Sequence, residues 1–173
     1  MEKIAIFGSA FNPPSLGHKS VIDSLAHFDK ILLVPSIAHA WGKEMLDFDT
    51  RCQLVNAFIR DLSLDKVELS LIEKRLFTPG ESVTTYAVLS ELQKLHGDAE
   101  LTFVIGPDNF FKFSSFYKSD EITERWSVMA CPEKVKIRST DIRNALISGS
   151  DVSKLSTKSV TKILQDGALY TIM

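Results

Sequence analysis

The sequence predicts an α/β fold: a doubly wound, mostly parallel sheet flanked by helices, with a small C-terminal helical extension. Three observations predict it. Short apolar runs alternate with stretches of helical period along the 173 residues. The first run, Ile4-Ala5-Ile6-Phe7, passes directly into a loop rich in glycine and proline and then into helical spacing. The clearest run, Leu101-Thr102-Phe103-Val104-Ile105, is closed by Gly106-Pro107. At this length one domain over 1–173 is expected, with 137–173 as its helical C-terminal part.

The elements follow in order. Ile4 to Phe7 reads as a first buried strand, and Ser20 to Ala26 as the helix after the loop. Ile31-Leu32-Leu33-Val34 is a second strand stopped by Pro35, followed by a long loop over 35–48. Cys52, Leu54, Val55, Phe58 and Ile59 place one apolar face on a helix over 49–60, with Asp47 and Asp49 as acids at its start. Val67-Glu68-Leu69 is a third strand, and 73–81 reads as loop around Pro79-Gly80. Ser82 caps a helix over 83–95 that buries Tyr86, Leu89, Leu92 and Leu95. Residues 109–124 read as one broken or two short helices, with Phe110, Phe111 and Phe113 as core. A last strand spans 126–130, and two helices, 139–147 and 157–166, flank a break near Gly149.

Composition narrows the function. A net charge of −2 excludes a global basic field for nucleic acid. Cys52 and Cys131 are too few and too far apart in sequence for a disulfide framework or a zinc site, and suit a reducing compartment. The N-terminus opens on a strand rather than a leader, and no apolar run would span a bilayer. A cytoplasmic location without membrane attachment is expected.

In open parallel sheets, ligands sit beyond the carboxyl ends of the strands. That rule gathers the loops 8–18, 35–43, 106–109 and 137–143. The first of these holds a glycine-bearing turn, a stiff Pro13-Pro14 pair and His18 in the first turn of a helix. A helix start offers free N–H groups and a positive dipole end, so it suits phosphate, and His18 adds a donor. The last, Ile137-Arg138-Ser139-Thr140-Asp141-Ile142-Arg143, offers Ser139 or Thr140 as a second helix cap and Arg143 one turn in. A guanidinium there can grip phosphate through two parallel bonds. Lys134, Lys136 and Arg138 add a small basic edge.

Gly8-Ser9-Ala10-Phe11-Asn12-Pro13-Pro14-Ser15-Leu16-Gly17-His18 resembles the G-G-x-F-x-P-x-H-x-G-H signature of HIGH-motif nucleotidyltransferases. The form is that of nicotinate/nicotinamide mononucleotide adenylyltransferases. Ile137 to Arg143 is similar to the family's I-S-S-T-x-I-R motif, and Gly106-Pro107-Asp108-Asn109-Phe110 resembles its middle segment, so the resemblance spans nearly the whole chain.

The resemblance implies a Rossmann-like fold and transfer of the adenylyl group of ATP to a pyridine mononucleotide, with Mg²⁺ bridging phosphates and no protein metal ligands. It implies that His18 contacts the α-phosphate and that Arg143 clamps the β- and γ-phosphates. Gly8, Ser9, Phe11, Ser15 and Gly17 would shape the ATP pocket, Gly106 and Asp108 would meet the adenosine ribose, and Ser139 and Thr140 would lie at the phosphates. Trp41, Lys43, Thr84 and Phe116 would serve the acceptor.

Three departures stand out. Ser15 replaces a family histidine, Ala38 to Lys43 lacks the usual P-P-H-K form, and Phe116 and Val83 stand where tryptophan and tyrosine are common. Two other readings therefore remain open: a related adenylyl or cytidylyl transferase with another phosphorylated acceptor, and a nucleotide-binding module without turnover.

Overall fold

The computed structural model describes residues 1–38 and 45–171. Five strands, β1 (Lys3–Ser9), β2 (Lys30–Pro35), β3 (Val67–Leu69), β4 (Glu100–Ile105) and β5 (Ser127–Ala130), pair in the order β3-β2-β1-β4-β5. Every pairing is parallel. The helices are α1 (Leu16–Asp23), α2 (Phe48–Leu62), α3 (Ile72–Leu76), α4 (Thr85–Leu95), α5 (Pro107–Phe111), α6 (Ser119–Arg125), α7 (Ser139–Ile147) and α8 (Lys158–Asp166). From β1 the chain builds outward to β2 and β3, then returns to add β4 and β5 on the other side. The order therefore reverses between β1 and β4, and a crevice opens where their carboxyl ends diverge.

The central strands are apolar on both faces because both are covered. Ala5, Phe7, Ile31, Leu33 and Val104 face α1, α2 and α8. Ile4, Ile6, Leu32, Leu101, Phe103 and Ile105 face Val88, Leu89 and Leu92 of α4 and Trp126. Strand period of two splits one run between two cores. The C-terminal helices belong to the first core: Ile142, Val152, Val160 and Leu164 are fully buried. Asp61 at the end of α2 accepts the Ser159 N–H at 2.8 Å and the Ser159 hydroxyl at 2.6 Å, which fixes the start of α8.

Several expectations change. Residues 72–76 form α3 rather than loop; Ile72 is buried and draws the segment onto the second core. Thr84, not Ser82, caps α4, its hydroxyl accepting the Ala87 N–H at 3.1 Å. Leu95 at the end of α4 is exposed, as are Phe110 and Phe111, while Phe113 is buried. Helix α5 lies beyond the end of β4 and has no buried residue, so only the following turn reaches the core. Pro35 ends β2 from inside the strand, its carbonyl and fixed φ being compatible with the last pairing position.

Candidate active site

The loop after β1 is built around a buried aromatic. Phe11 has a left-handed backbone, φ 48°, which costs a bulky residue about 1–3 kcal/mol. Its side chain is fully buried, and its ring packs 4.7 Å from that of His18 and 5.7 Å from that of Phe7. The Asn12–Pro13 peptide bond is cis. Ser15 is the N-cap of α1: its hydroxyl accepts the His18 N–H at 3.3 Å, while His18 Nδ1 accepts the Ser15 N–H at 3.0 Å. Histidine thus fills the place that Glu or Gln takes in an ordinary capping box.

This cap fixes the histidine tautomer. A backbone N–H can only donate, so Nδ1 is the acceptor and the ring proton sits on Nε2. Nε2 lies 3.0 Å from the Ser9 hydroxyl. Burial between the phenylalanine rings pushes the His18 pKa down to about 4, so the ring is neutral at neutral pH.

The segment 137–143 docks onto this loop. Ser15 Oγ donates to the Ile137 carbonyl at 3.0 Å, Ser139 Oγ to the Pro13 carbonyl at 2.6 Å, and Arg143 Nη1 to the Asn12 carbonyl at 2.8 Å. Downstream, Ser156 Oγ donates to the Pro14 carbonyl at 2.7 Å, and the Leu16 N–H to the Leu155 carbonyl at 3.0 Å. Ser139 therefore bridges the two motifs instead of capping α7; Arg138 is the N-cap residue, its N–H accepted by Asp141 at 2.9 Å. Arg143 Nη2 also donates to Thr140 Oγ1 at 3.0 Å. Close docking requires Gly17: a Cβ there would lie 2.1 Å from the Ile137 carbonyl oxygen.

Two hollows meet at His18. The first, about 220 Å³, is lined by Ser9, Phe11, Asn12, Ser15, Met45, Ser139, Thr140 and Arg143 as well as His18. The second, about 510 Å³, runs along Gly8, Gly106, Asp108, Cys131 and Lys136. Ser9, His18, Glu133 and Arg138 border both. Arg138 reaches toward Asp108 and Glu133, 4.0 Å from each. Glu133 Oε2 is buried with no hydrogen-bond partner among the described residues.

The expected residues thus separate into groups. Ser9, Phe11, Ser15, His18, Ser139, Thr140 and Arg143 converge on the first hollow, and Gly8, Gly106 and Asp108 on the second. Gly17 lies beneath them as a packing contact. Thr84 and Phe116 border neither hollow; Phe116 packs on Phe113, ring centroids 5.0 Å apart. Trp41 and Lys43 lie outside the described residues.

Sequence reasoning passed over Arg51, Asn12 and Tyr170. Arg51 is 1% exposed and donates to four backbone carbonyls. The signal was present: Arg51 falls on the apolar stripe of α2 with Val55 and Phe58. Asn12 Oδ1 accepts the Leu46 N–H and the Tyr170 hydroxyl.

Glu73 on α3 accepts the Ile37 N–H at 3.1 Å through Oε1. Burial raises its pKa from 4.5 to about 7, against the opposing pull of that bond and of Arg51. Its folded form holds a proton that the unfolded chain has released, so its contribution to stability is complete below pH 4.5 and lost as pH rises to about 7. His18 acts in the opposite sense: its contribution is complete above pH 6.5 and lost as pH falls toward 4. The two slopes oppose each other across mildly acidic pH. Glu73→Gln should therefore raise unfolding free energy by up to about 3 kcal/mol at pH 8 and by almost nothing at pH 4.5. Denaturant unfolding at the two pH values checks this.

The described residues contain no helix long and apolar enough to cross a membrane, and no group of three or more His, Cys, Asp or Glu placed to hold a metal. The cytidylyltransferase-like family model matches residues 6–154. A Vibrio parahaemolyticus crystal structure, described as a candidate nicotinate-nucleotide adenylyltransferase, is 58% identical, with a TM-score of 0.89 over 100% of this chain and 98% of that one. A Fusobacterium nucleatum protein with the same candidate description is 29% identical, over 94% of this chain and 97% of its own length. The Plasmodium falciparum nicotinic acid mononucleotide adenylyltransferase complexed with NaAD shares the fold, with a TM-score of 0.76 at 17% identity over 98% of each chain. The chain belongs to the cytidylyltransferase-like family, in its nicotinate-nucleotide adenylyltransferase branch.

Proposed function

We propose that this enzyme transfers the adenylyl group of ATP to nicotinate mononucleotide, forming a dinucleotide and releasing pyrophosphate in NAD biosynthesis. The observation that carries the reading is the pairing of His18 and Arg143 on one hollow, each tied to the loop after β1. An oxygen of the acceptor phosphate forms a bond to the α-phosphorus, and the bond from that phosphorus to the bridging oxygen of pyrophosphate breaks in line. No protein nucleophile takes part, so rate comes from positioning and from stabilising charge on the phosphoryl oxygens.

His18 Nε2–H faces the first hollow beside Ser9 and donates to an α-phosphoryl oxygen. The hydrogen bond from the Ser15 N–H to Nδ1 keeps the donor proton on Nε2. Arg143 grips the β- and γ-phosphates, its guanidinium oriented by bonds from Nη1 to the Asn12 carbonyl and from Nη2 to Thr140 Oγ1. Ser139 and Thr140 bring the start of α7 to the same phosphates, while Gly106 and Asp108 serve the ribose in the second hollow. A divalent cation such as Mg²⁺ would arrive with ATP and would neutralise charge on its phosphates, with no dedicated carboxylate cage among the described residues. Cys52 and Cys131 are both free and buried, which supports a reducing, cytoplasmic setting.

The test is pyrophosphate release from ATP and Mg²⁺ with nicotinate or nicotinamide mononucleotide as acceptor. The expected result is turnover with both classes compared and the acid form preferred. Absence of pyrophosphate release with nicotinate mononucleotide overturns the reading.

A further inference from the structure

Past α8 the chain turns back toward the loop after β1. The turn passes through Ala168 and Tyr170, both with a left-handed backbone, at φ 49° and φ 62°. Neither is glycine, so the turn is held against a backbone preference. Its outcome is that Tyr170 is buried among the side chains of the first core. From there the Tyr170 hydroxyl donates to Asn12 Oδ1, a partner 158 residues away in sequence.

Asn12 is a junction. It is buried, and it lines the first hollow. Its Oδ1 accepts the Tyr170 hydroxyl and the Leu46 N–H, and its carbonyl accepts Arg143 Nη1 at 2.8 Å. A side chain held by two donors at one oxygen cannot change rotamer without breaking both bonds. Anchored in this way it fixes its own Cα, and with it the carbonyl that Arg143 meets. The phenol stays a donor, because burial pushes its pKa up by more than the Arg143 and Arg51 guanidiniums pull it down. Arg143 Nη2 donates to Thr140 Oγ1 at 3.0 Å. The two bonds that orient this guanidinium thus differ in origin: one lies within α7, and the other depends on where Asn12 stands.

We propose that Tyr170 is a positioning residue for the triphosphate: through Asn12 it fixes the carbonyl that aims the Arg143 guanidinium, and so strengthens the grip on the β- and γ-phosphates. The inference rests on the adenylyl-transfer reading above, in which Arg143 takes those two phosphates. Tyr170 itself lines neither hollow, so it acts through its neighbours and not by touching nucleotide. Its hydroxyl carries the effect. Phenylalanine would fill the same space in the core and lack only that bond. Asn12 Oδ1 would keep the Leu46 N–H, so no buried acceptor is orphaned and the variant should fold.

The experiment measures affinities for MgATP and for AMP by calorimetry in Tyr170→Phe, Thr140→Val and Arg143→Ala. AMP shares adenosine and the α-phosphate with ATP and lacks the two phosphates assigned to Arg143. Tyr170→Phe should weaken MgATP binding by about fivefold and leave AMP binding within about twofold of wild type. Thr140→Val removes the other orienting bond and should show the same split, and Arg143→Ala a larger one. Added to Arg143→Ala, Tyr170→Phe should weaken MgATP binding no further, because the pair it couples has gone.

Equal loss of MgATP and AMP affinity in Tyr170→Phe marks a loop loosened as a whole and overturns the proposal. So does an effect on MgATP that persists in full without Arg143. A lower melting temperature with both affinities unchanged marks a tyrosine that only packs the core, and it also overturns the proposal. Failure of the parent reading is visible separately: Arg143→Ala would then leave the ratio of MgATP to AMP affinity unchanged, and this inference would fall with it. Failure of this inference alone leaves Arg143→Ala and Thr140→Val with their split and Tyr170→Phe without one.

Discussion

Replacing His18 with alanine lowers turnover by about 10²–10³, the usual loss when one aimed donor to a developing oxyanion is removed. The effect should fall on kcat more than on ATP affinity, because in the proposed reading Arg143 and the start of α7 still hold the phosphates. Stability changes far less. The ring is one half of a capping box, so its loss leaves the Ser15 N–H without its partner at a cost of about 1 kcal/mol. Against this, the unfavourable ionisation of a buried imidazole at low pH disappears, and the variant loses the acid sensitivity that a pKa of about 4 confers on the wild type. Glutamine at this position places an amide donor near where Nε2–H stood and should recover part of the rate. Steady-state pyrophosphate release together with denaturant unfolding at pH 5 and pH 8 checks all three statements. Turnover of His18→Ala close to the wild-type rate would remove the histidine from the chemistry.

A single methyl group at Gly17 should do comparable damage by another route. The added Cβ would sit 2.1 Å from the Ile137 carbonyl oxygen and 2.7 Å from Glu133 Oε2. The glutamate can rotate away. The carbonyl belongs to the backbone and accepts the Ser15 hydroxyl, so α1 and the segment 137–143 must separate by more than an ångström. Overpacking of this kind costs about 1–3 kcal/mol. The functional loss should be larger, because the shift parts the two elements proposed to grip phosphate; misplacement on that scale costs about 10² in rate. Gly17→Ala should therefore fold, melt at a lower temperature and lose most activity, whereas Gly106→Ala, with nothing within 4 Å of the new methyl group, should leave stability nearly unchanged. Thermal unfolding of the two variants side by side gives the comparison.

How much was legible in the sequence follows from what each element depends on. The central strands were plain because two covered faces make a continuous apolar run, and Ile4 to Phe7 and Leu101 to Ile105 have no other reading. The convergence of residues 8–18 with 137–143 was legible because the end of a parallel strand and two helix starts point to one crevice. Helix α3 was hidden because five residues carry too little period to register, and a single buried contact, Ile72, makes the helix. Ser139 looked like a cap by type and position, yet its hydroxyl is taken by the Pro13 carbonyl across 126 residues. Arg51 showed only as a charge on the apolar stripe of α2; what it binds was hidden, because backbone carbonyls carry no signature in side-chain identity.

Four of the side-chain bonds that hold residues 12–14 come from late in the chain. Ser139, Arg143, Ser156 and Tyr170 all follow the last strand, and each reaches back to a residue between Asn12 and Pro14. All five strands therefore precede in sequence the residues that make these bonds. A chain truncated after β5 would keep a Rossmann-like core and lose all four of these holds on residues 12–14.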